Sequence, residues 1–265
     1  MQHTIPTTPP STLEAFNELV SIVTRLRKEC PWDREQTHES LRPALIEEAY
    51  ETIEAIDSRD YTELKKELGD LLLHIVFHSI LGTESGNFSL EEVIRGESEK
   101  LIYRHPHVFG DTEVSGSEEV KKNWEQLKRR EKGRTSVLDG VPESLPALQR
   151  STRIQEKASK VGFDWQDTTS VWKKVREEIE EFEAESDPAN RDEEFGDLLF
   201  ALVNVSRHEK IDAETSLRNA TKKFERRFRQ VEKEVEASGR PMQEFTLNEL
   251  DAIWDRVKAQ ESGKG

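Results

Sequence analysis

Residues 174–197 read KVREEIEEFEAESDPANRDEEFGD, and they decide the fold. Side chains three and four apart share one face of a helix. Glu178 and Glu181 therefore project together, with Glu177 beside Glu181 and Lys174 one turn before Glu178. Asp187-Pro188 breaks the chain, since proline disfavours helix in the residue before it. Helical spacing then returns and places Glu194 and Asp197 on one face. A connection this short makes the two helices antiparallel neighbours, with their acids converging between them.

The pattern occurs twice. The first half carries Glu47-Glu48-x-x-Glu51 and then Glu67-Leu-Gly-Asp70. The second carries Glu177-Glu178-x-x-Glu181 and then Glu194-Phe-Gly-Asp197. Lys100-x-x-x-Arg104 and Trp124-x-x-x-Lys128 answer to Lys223-x-x-x-Arg227 and Trp254-x-x-x-Lys258. Upstream, Pro31-Trp32-Asp33 answers to Gly162-Phe163-Asp164. Acidic motifs alone are weak evidence in a chain rich in Asp and Glu; recurrence of several elements in the same order is strong evidence.

Outside these motifs the spacing stays helical. Helices are expected over about 12–29, 41–56, 61–81 and from Ser89, a candidate cap, to His105. A further candidate covers 117–131. The second half repeats the series at about 146–160, 169–186, 191–209, 212–237 and 246–260. Cys30-Pro31-Trp32-Asp33 reads as the end of the first helix. The runs Leu71–Phe77 and Leu198–Val203 are almost continuously apolar. Such helices belong at the centre of a bundle or at a subunit interface. Residues 133–146, with two Gly and two Pro, read as a linker. The domains expected are 1–132 and 147–265.

Composition agrees with an all-α chain. Of 265 residues, 34% are hydrophobic and 35% charged, as in amphipathic helices with long solvated faces. The net charge of −15 argues against a nucleic-acid partner. Cys30 is the lone cysteine, which precludes an intrachain disulfide and fits a cytoplasmic protein. The amino-terminal residues lack the pattern of a signal peptide, and no apolar stretch is long enough to span a membrane.

Crowded carboxylates repel unless something compensates. A hard divalent cation does so, and an all-oxygen set favours Mg²⁺, with Mn²⁺ as a substitute. Lys223, Arg227 and Lys258 suit phosphates, and Trp254 suits stacking on a base. There is no P-loop and no G-x-S-x-G elbow, so phosphate chemistry here is expected to be metal-centred. Glu35-x-x-His38 matches a di-iron ligand step but lacks its second carboxylate–histidine pair. His105-Pro106-His107 lies at a proline and reads as structural.

These residues resemble the MazG family of nucleoside triphosphate pyrophosphohydrolases in its two-domain form. The likeness extends to Cys30–Asp33, Arg104–Phe109 and Val161–Trp165. It implies tandem helical-bundle NTP-pyrophosphatase domains, a homodimer, Mg²⁺ dependence, and broad action on ribo- and deoxynucleoside triphosphates. It implies metal ligands at Glu178, Glu181, Glu194 and Asp197, with Glu177 adjoining; by metal chemistry, a carboxylate not fully used by the ion, Glu177 or Glu178, is expected to act on water. It implies nucleotide contacts at Lys174, the turn Asn190-Arg191-Asp192-Glu193, Lys223, Arg227, Trp254 and Lys258. Glu47, Glu48, Glu51, Glu67 and Asp70 form a candidate second metal site. Ala44 stands where the second half has Lys174, so the second half is expected to carry most turnover and the first to be structural or regulatory. The reading from another class is a helical scaffold that senses nucleotides without cleaving them. A carboxylate-bridged redox-metal protein is a third.

Overall fold

The structure, a computed structural model, describes residues 10–117, 119–120, 123–124, 127 and 135–262. Lys128 and most of the candidate helix over 117–131 lie outside these residues. Every regular element among the described residues is helical, so the chain is all-α. It divides into two units, 1–130 and 131–265.

In the first unit the helices are α1 (Pro10–Glu29), α2 (Pro31–Glu35), α3 (Arg42–Ser58), α4 (Tyr61–Glu84), α5 (Leu90–Arg104) and α6 (Pro106–Phe109). Their ends follow local chemistry. Asp60 caps α4 by accepting from the backbone N–H of Thr62 and of Glu63. Ser89 and Glu92 form a reciprocal capping box that starts α5. Arg59, at φ 57°, takes the left-handed conformation that ends α3. Cys30-Pro31-Trp32-Asp33 does more than stop α1. Proline at the first helical position opens α2, because its missing N–H would have no partner there. Pro106 opens α6 in the same way. The α3–α4 pair is the frame, and α1 packs across α4. Val23, Leu41, Val76, Phe77 and Leu81 form the core, with Phe16, Leu19 and Val20 against it.

The second unit contains α7 (Ala147–Ser159), α8 (Thr168–Ala184), α9 (Pro188–His208), α10 (Ala213–Ala237), a short 3₁₀ turn over Met242–Glu244, and α11 (Leu247–Ser262). Asp167, Asp187 and Asp212 cap α8, α9 and α10. Such caps each contribute about 0.5–2 kcal/mol. The α8–α9 pair repeats the α3–α4 frame, and α7 crosses α9 as α1 crosses α4. One core joins Val171 and Val175 to Ala201 and Val205. A second lies in the α10–α11 hairpin around Val231, Val235, Ile253 and Val257.

The apolar runs of α4 and α9 are covered on one side only. Val76 and Val203 are buried, whereas Ile75, Leu199 and Leu202 stand exposed. Within one chain these helices are therefore not central on all faces.

Candidate functional site

In the second unit, α8 contributes Glu178 and α9 contributes Glu194 and Asp197. Carboxylate oxygens of the three lie within 4.8 Å of one another. Glu178 is only 5% exposed. Glu181 is not one of the three. It sits one turn further along α8, with a carboxylate oxygen 3.9 Å from the Lys174 ammonium. Partial desolvation pushes its pKa up, Lys174 pulls it back, and Glu178 and Glu177 add to the rise. Lys174 lies 2.5 Å from Glu177 and 2.7 Å from Glu178. Hydrogen bonds to those two acids, Glu177 first, hold it protonated far above the usual lysine range. Lys174 thus supplies the positive charge that this crowd of acids requires. The three carboxylates offer oxygen donors alone, close enough to share one hard divalent cation.

Lys174, Glu178 and Asp197 also line a cavity of about 730 Å³. Its walls are largely apolar: Val137 and Leu138 from the segment before α7, Ile154 from α7, Phe163 and Trp165 from the α7–α8 loop, and Phe200 from α9. Polar side chains interrupt them at Gln155, Asp164, Asn204 and Arg207. A largely apolar hollow with a few fixed polar groups is the usual form of a small-molecule site.

Each wall is held in place. Arg207 grips Asp164 with both terminal nitrogens, one of them at 2.9 Å from Oδ2. His208 Nε2 lies 3.1 Å from the same carboxylate. Arg207, more than His208, keeps Asp164 below the usual carboxylate range. The loop carrying Phe163 and Trp165 is thereby tied to α9. The ammonium of Lys157, a residue only 6% exposed, donates to the carbonyls of Val137 and Asp139. Val137 and Asp139, in the segment 133–146 read from sequence as linker, are tied in this way to α7, and Ser136, Val137 and Leu138 line the cavity.

Other expected contacts lie elsewhere. Asn190, Arg191, Asp192 and Glu193 are not in a turn; they occupy the start of α9, because Pro188 begins the helix at its first position. The Arg191 guanidinium stacks 4.6 Å over the Phe182 ring. Trp254 packs in the α10–α11 hairpin against Phe224, and Arg227 lies 5.9 Å over its indole. Arg227 also pairs with Glu261 at 2.8 Å, and Lys258 with Asp255 at 3.2 Å. Lys223 is exposed on α10. None of these four lines the cavity with the acids.

The first unit repeats the acids without the rest. Carboxylate oxygens of Glu48, Glu67 and Asp70 also come within 4.8 Å of one another. Glu47 and Glu51 flank them on α3. Glu67 is 5% exposed. Burial, followed by the charge of Glu51 and contact with Glu63, raises its pKa to about 7. The wall differs too. Counting three, four, seven and ten residues from the aspartate, the second unit has Phe200, Ala201, Asn204 and Arg207; the first has Leu73, His74, Phe77 and Ile80. Phe77 belongs to the hydrophobic core, and Leu73 and Ile80 pack against it.

The histidines do not extend either cluster. His38 Nδ1 lies 2.8 Å from His78 Nδ1, and His105 Nδ1 lies 2.7 Å from the Leu101 carbonyl. Among the described residues, the groups able to hold a metal are the two carboxylate trios.

Sequence reasoning assigned no role to Asp164, Arg207, Gln155 or Asn204. The repeat of Asp33 as Asp164 marked the loop, but nothing local in sequence joins it to Arg207.

The MazG nucleotide pyrophosphohydrolase domain matches residues 36–109 and 166–232, once in each unit. The chain is 48% identical over 247 residues to the nucleoside triphosphate pyrophosphohydrolase/pyrophosphatase MazG of Thermotoga maritima, covering 92% of this chain and 95% of that protein. It is 44% identical over 260 residues to the nucleoside triphosphate pyrophosphohydrolase of Escherichia coli K12, covering 94% and 99%. With the domain matched twice and relatives aligned over nearly their whole length, the chain belongs to the MazG nucleotide pyrophosphohydrolase family.

Proposed function

We propose that this protein hydrolyses nucleoside triphosphates to a monophosphate and pyrophosphate, that it depends on Mg²⁺ or Mn²⁺, and that the second unit carries most of the turnover. One observation carries the reading: two of the three gathered acids, Glu178 and Asp197, line with Lys174 a cavity able to take a nucleoside, and Glu194 completes the trio beside them. The family relatives support the reaction.

Glu178, Glu194 and Asp197 would hold the cation, with Glu181 in reach of the same charge. A bound divalent ion neutralises phosphate charge and polarises the reacting phosphorus. Lys174 presents an ammonium to the phosphates. Glu177, exposed beside Lys174, is placed to accept a proton from water, with Glu178 as the other candidate. The water oxygen then bonds to the α-phosphorus, the bond from that phosphorus to the bridging oxygen breaks, and pyrophosphate leaves. The resemblance read from the sequence points to Lys223, Arg227, Trp254, Lys258 and residues 190–193 as nucleotide contacts. In one chain these lie off the cavity, as does the bare apolar side of α9; a homodimer would cover that side.

The walls permit a broad range of ribo- and deoxynucleotides, ATP included, since they are mostly apolar. The first unit supports a structural or regulatory role, because it lacks the lysine and fills the corresponding wall with core side chains. The lone Cys30 fits a cytoplasmic setting, and among the described residues no helix is long and apolar enough to cross a membrane.

Product analysis by phosphorus NMR, with a panel of NTPs and Mg²⁺, tests the reading. Monophosphate and pyrophosphate are expected, and release of orthophosphate as the first product would refute it. Mg²⁺-dependent binding with no cleavage at all would favour the nucleotide-sensing scaffold instead.

A further inference from the structure

The loop Gly162-Phe163-Asp164-Trp165 carries two large aromatic side chains on a firmly held backbone. Gly162, at φ 88°, turns the chain away from the end of α7 in the left-handed conformation that glycine adopts freely. The Phe163 N–H donates to the Ala158 carbonyl at 3.2 Å, and the Trp165 N–H to Asp164 Oδ1 at 2.9 Å. Asp164 is in turn gripped by Arg207 and reached by His208, both from α9. The cores of this unit, around Val171 and around Val231, are built without either ring. Phe163 is 80% exposed and Trp165 42%, so both are open to a ligand. Both also line the cavity bordered by Lys174, Glu178 and Asp197.

Rings left in water forgo the burial that stabilises a fold. Single exposed apolar residues are ordinary, but here Leu138, Val161, Phe163, Trp165 and Phe200 stand exposed around one hollow. The first unit differs at this point. Its matching stretch, Pro31-Trp32-Asp33-Arg34, is wound into α2 and offers one ring, and Ile80 stands where α9 has Arg207. Clasp and second ring thus occur together, in the copy whose acids border the cavity.

We propose that Phe163 and Trp165 form the platform for the nucleobase in the second unit's site, held in place by the Asp164–Arg207 clasp. This rests on the nucleoside triphosphate reading above and deepens it. The occupant is the base of a triphosphate because the groups that suit its other end, a lysine and two acids, line the same cavity. Trp254, the ring that sequence reasoning offered for stacking, packs against Phe224 in the α10–α11 hairpin and does not line this cavity. Every base presents a ring face, so an aromatic platform accepts purines and pyrimidines alike. A platform that is already rigid loses little freedom on binding, which is what the clasp contributes.

The test sets cleavage of ATP beside inhibition by inorganic tripolyphosphate, which keeps the phosphates and has no base, in Phe163→Ala and Trp165→Ala. Thermal melting establishes that each variant is folded; Phe163 is exposed enough to be dispensable for folding. In each variant kcat/KM for ATP should fall about tenfold, the scale of one base–ring contact, while inhibition by tripolyphosphate stays within about twofold of wild type. Trp165→Phe should recover most of the loss. Wild-type kcat/KM in both folded alanine variants overturns the proposal and leaves the hydrolase reading standing; altered sedimentation of those variants would then assign the rings to contact with a second copy. Equal weakening of ATP and tripolyphosphate also overturns it, since the rings would then support the site as a whole. A wild-type protein that cleaves no nucleoside triphosphate removes both readings.

Discussion

The two units hold the same acid trio in different surroundings. In the second, Lys174 lies against Glu177 and Glu178, and the neighbouring face of α9 opens into a cavity. In the first, Ala44 leaves the acids without that cation, Glu67 rises to a pKa of about 7, and Phe77 stands where the second unit has Asn204. On the proposed assignment, carboxylates that can gather a metal are not sufficient to make a nucleotide site. A cation for the phosphates and room for the nucleoside are what separate the two copies. The two copies share a frame and differ at a few wall positions.

The strongest way to break this comparison is to give the second unit the wall of the first. Asn204→Phe places an aromatic ring in the cavity and removes the acceptor for Arg207. Steady-state pyrophosphate release should fall about 100-fold in kcat/KM, a loss of roughly 3 kcal/mol in transition-state binding. Metal binding, followed by Mn²⁺ titration, should persist, since the acids are untouched. Near-normal turnover in a folded Asn204→Phe protein would show that the cavity is not used.

A smaller effect is expected from removing the cation. Lys174→Ala should raise KM for NTPs about tenfold, the scale of one charge-assisted contact to a phosphate. An unchanged KM would mean that Lys174 serves only to neutralise its neighbours.

The smallest effect concerns the first unit alone. Glu67 has its folded pKa raised to about 7 from a usual value near 4.5. A raised pKa means that folding favours the protonated form. Its contribution to stability is therefore complete below about 4.5 and is lost as the pH climbs through 7. Thermal melting of metal-free protein should show a decline across this window, and Glu67→Gln should flatten it. A wild-type melting temperature that rises steadily from pH 5 to pH 8 would contradict the assignment.

The repeat made much of this legible in advance. Spacing at three and four residues placed Glu178 beside Lys174 and Glu194 beside Asp197, and Ser89 caps its helix as its place in the sequence suggests. Helix ends at prolines were harder. Pro31, Pro106 and Pro188 each read as a break, yet each opens a helix, since proline is tolerated in the first turn. The walls were not legible, for a different reason. Gln155, Asp164 and Arg207 come from separate elements, and their meeting depends on how α7 crosses α9. Lys157 likewise reads as a surface charge, although it is buried and anchors residues 137–139. Side-chain spacing reports faces of one helix; it is silent on which loop folds over that face.

The most direct measurement is Mg²⁺-dependent pyrophosphate release by Glu178→Ala set beside Glu48→Ala, the matching change in the other copy. Loss of at least 100-fold in the first variant and a change of less than about threefold in the second is the outcome expected from one working trio. Near-normal cleavage by a folded Glu178→Ala protein, or equal losses in both variants, would contradict it.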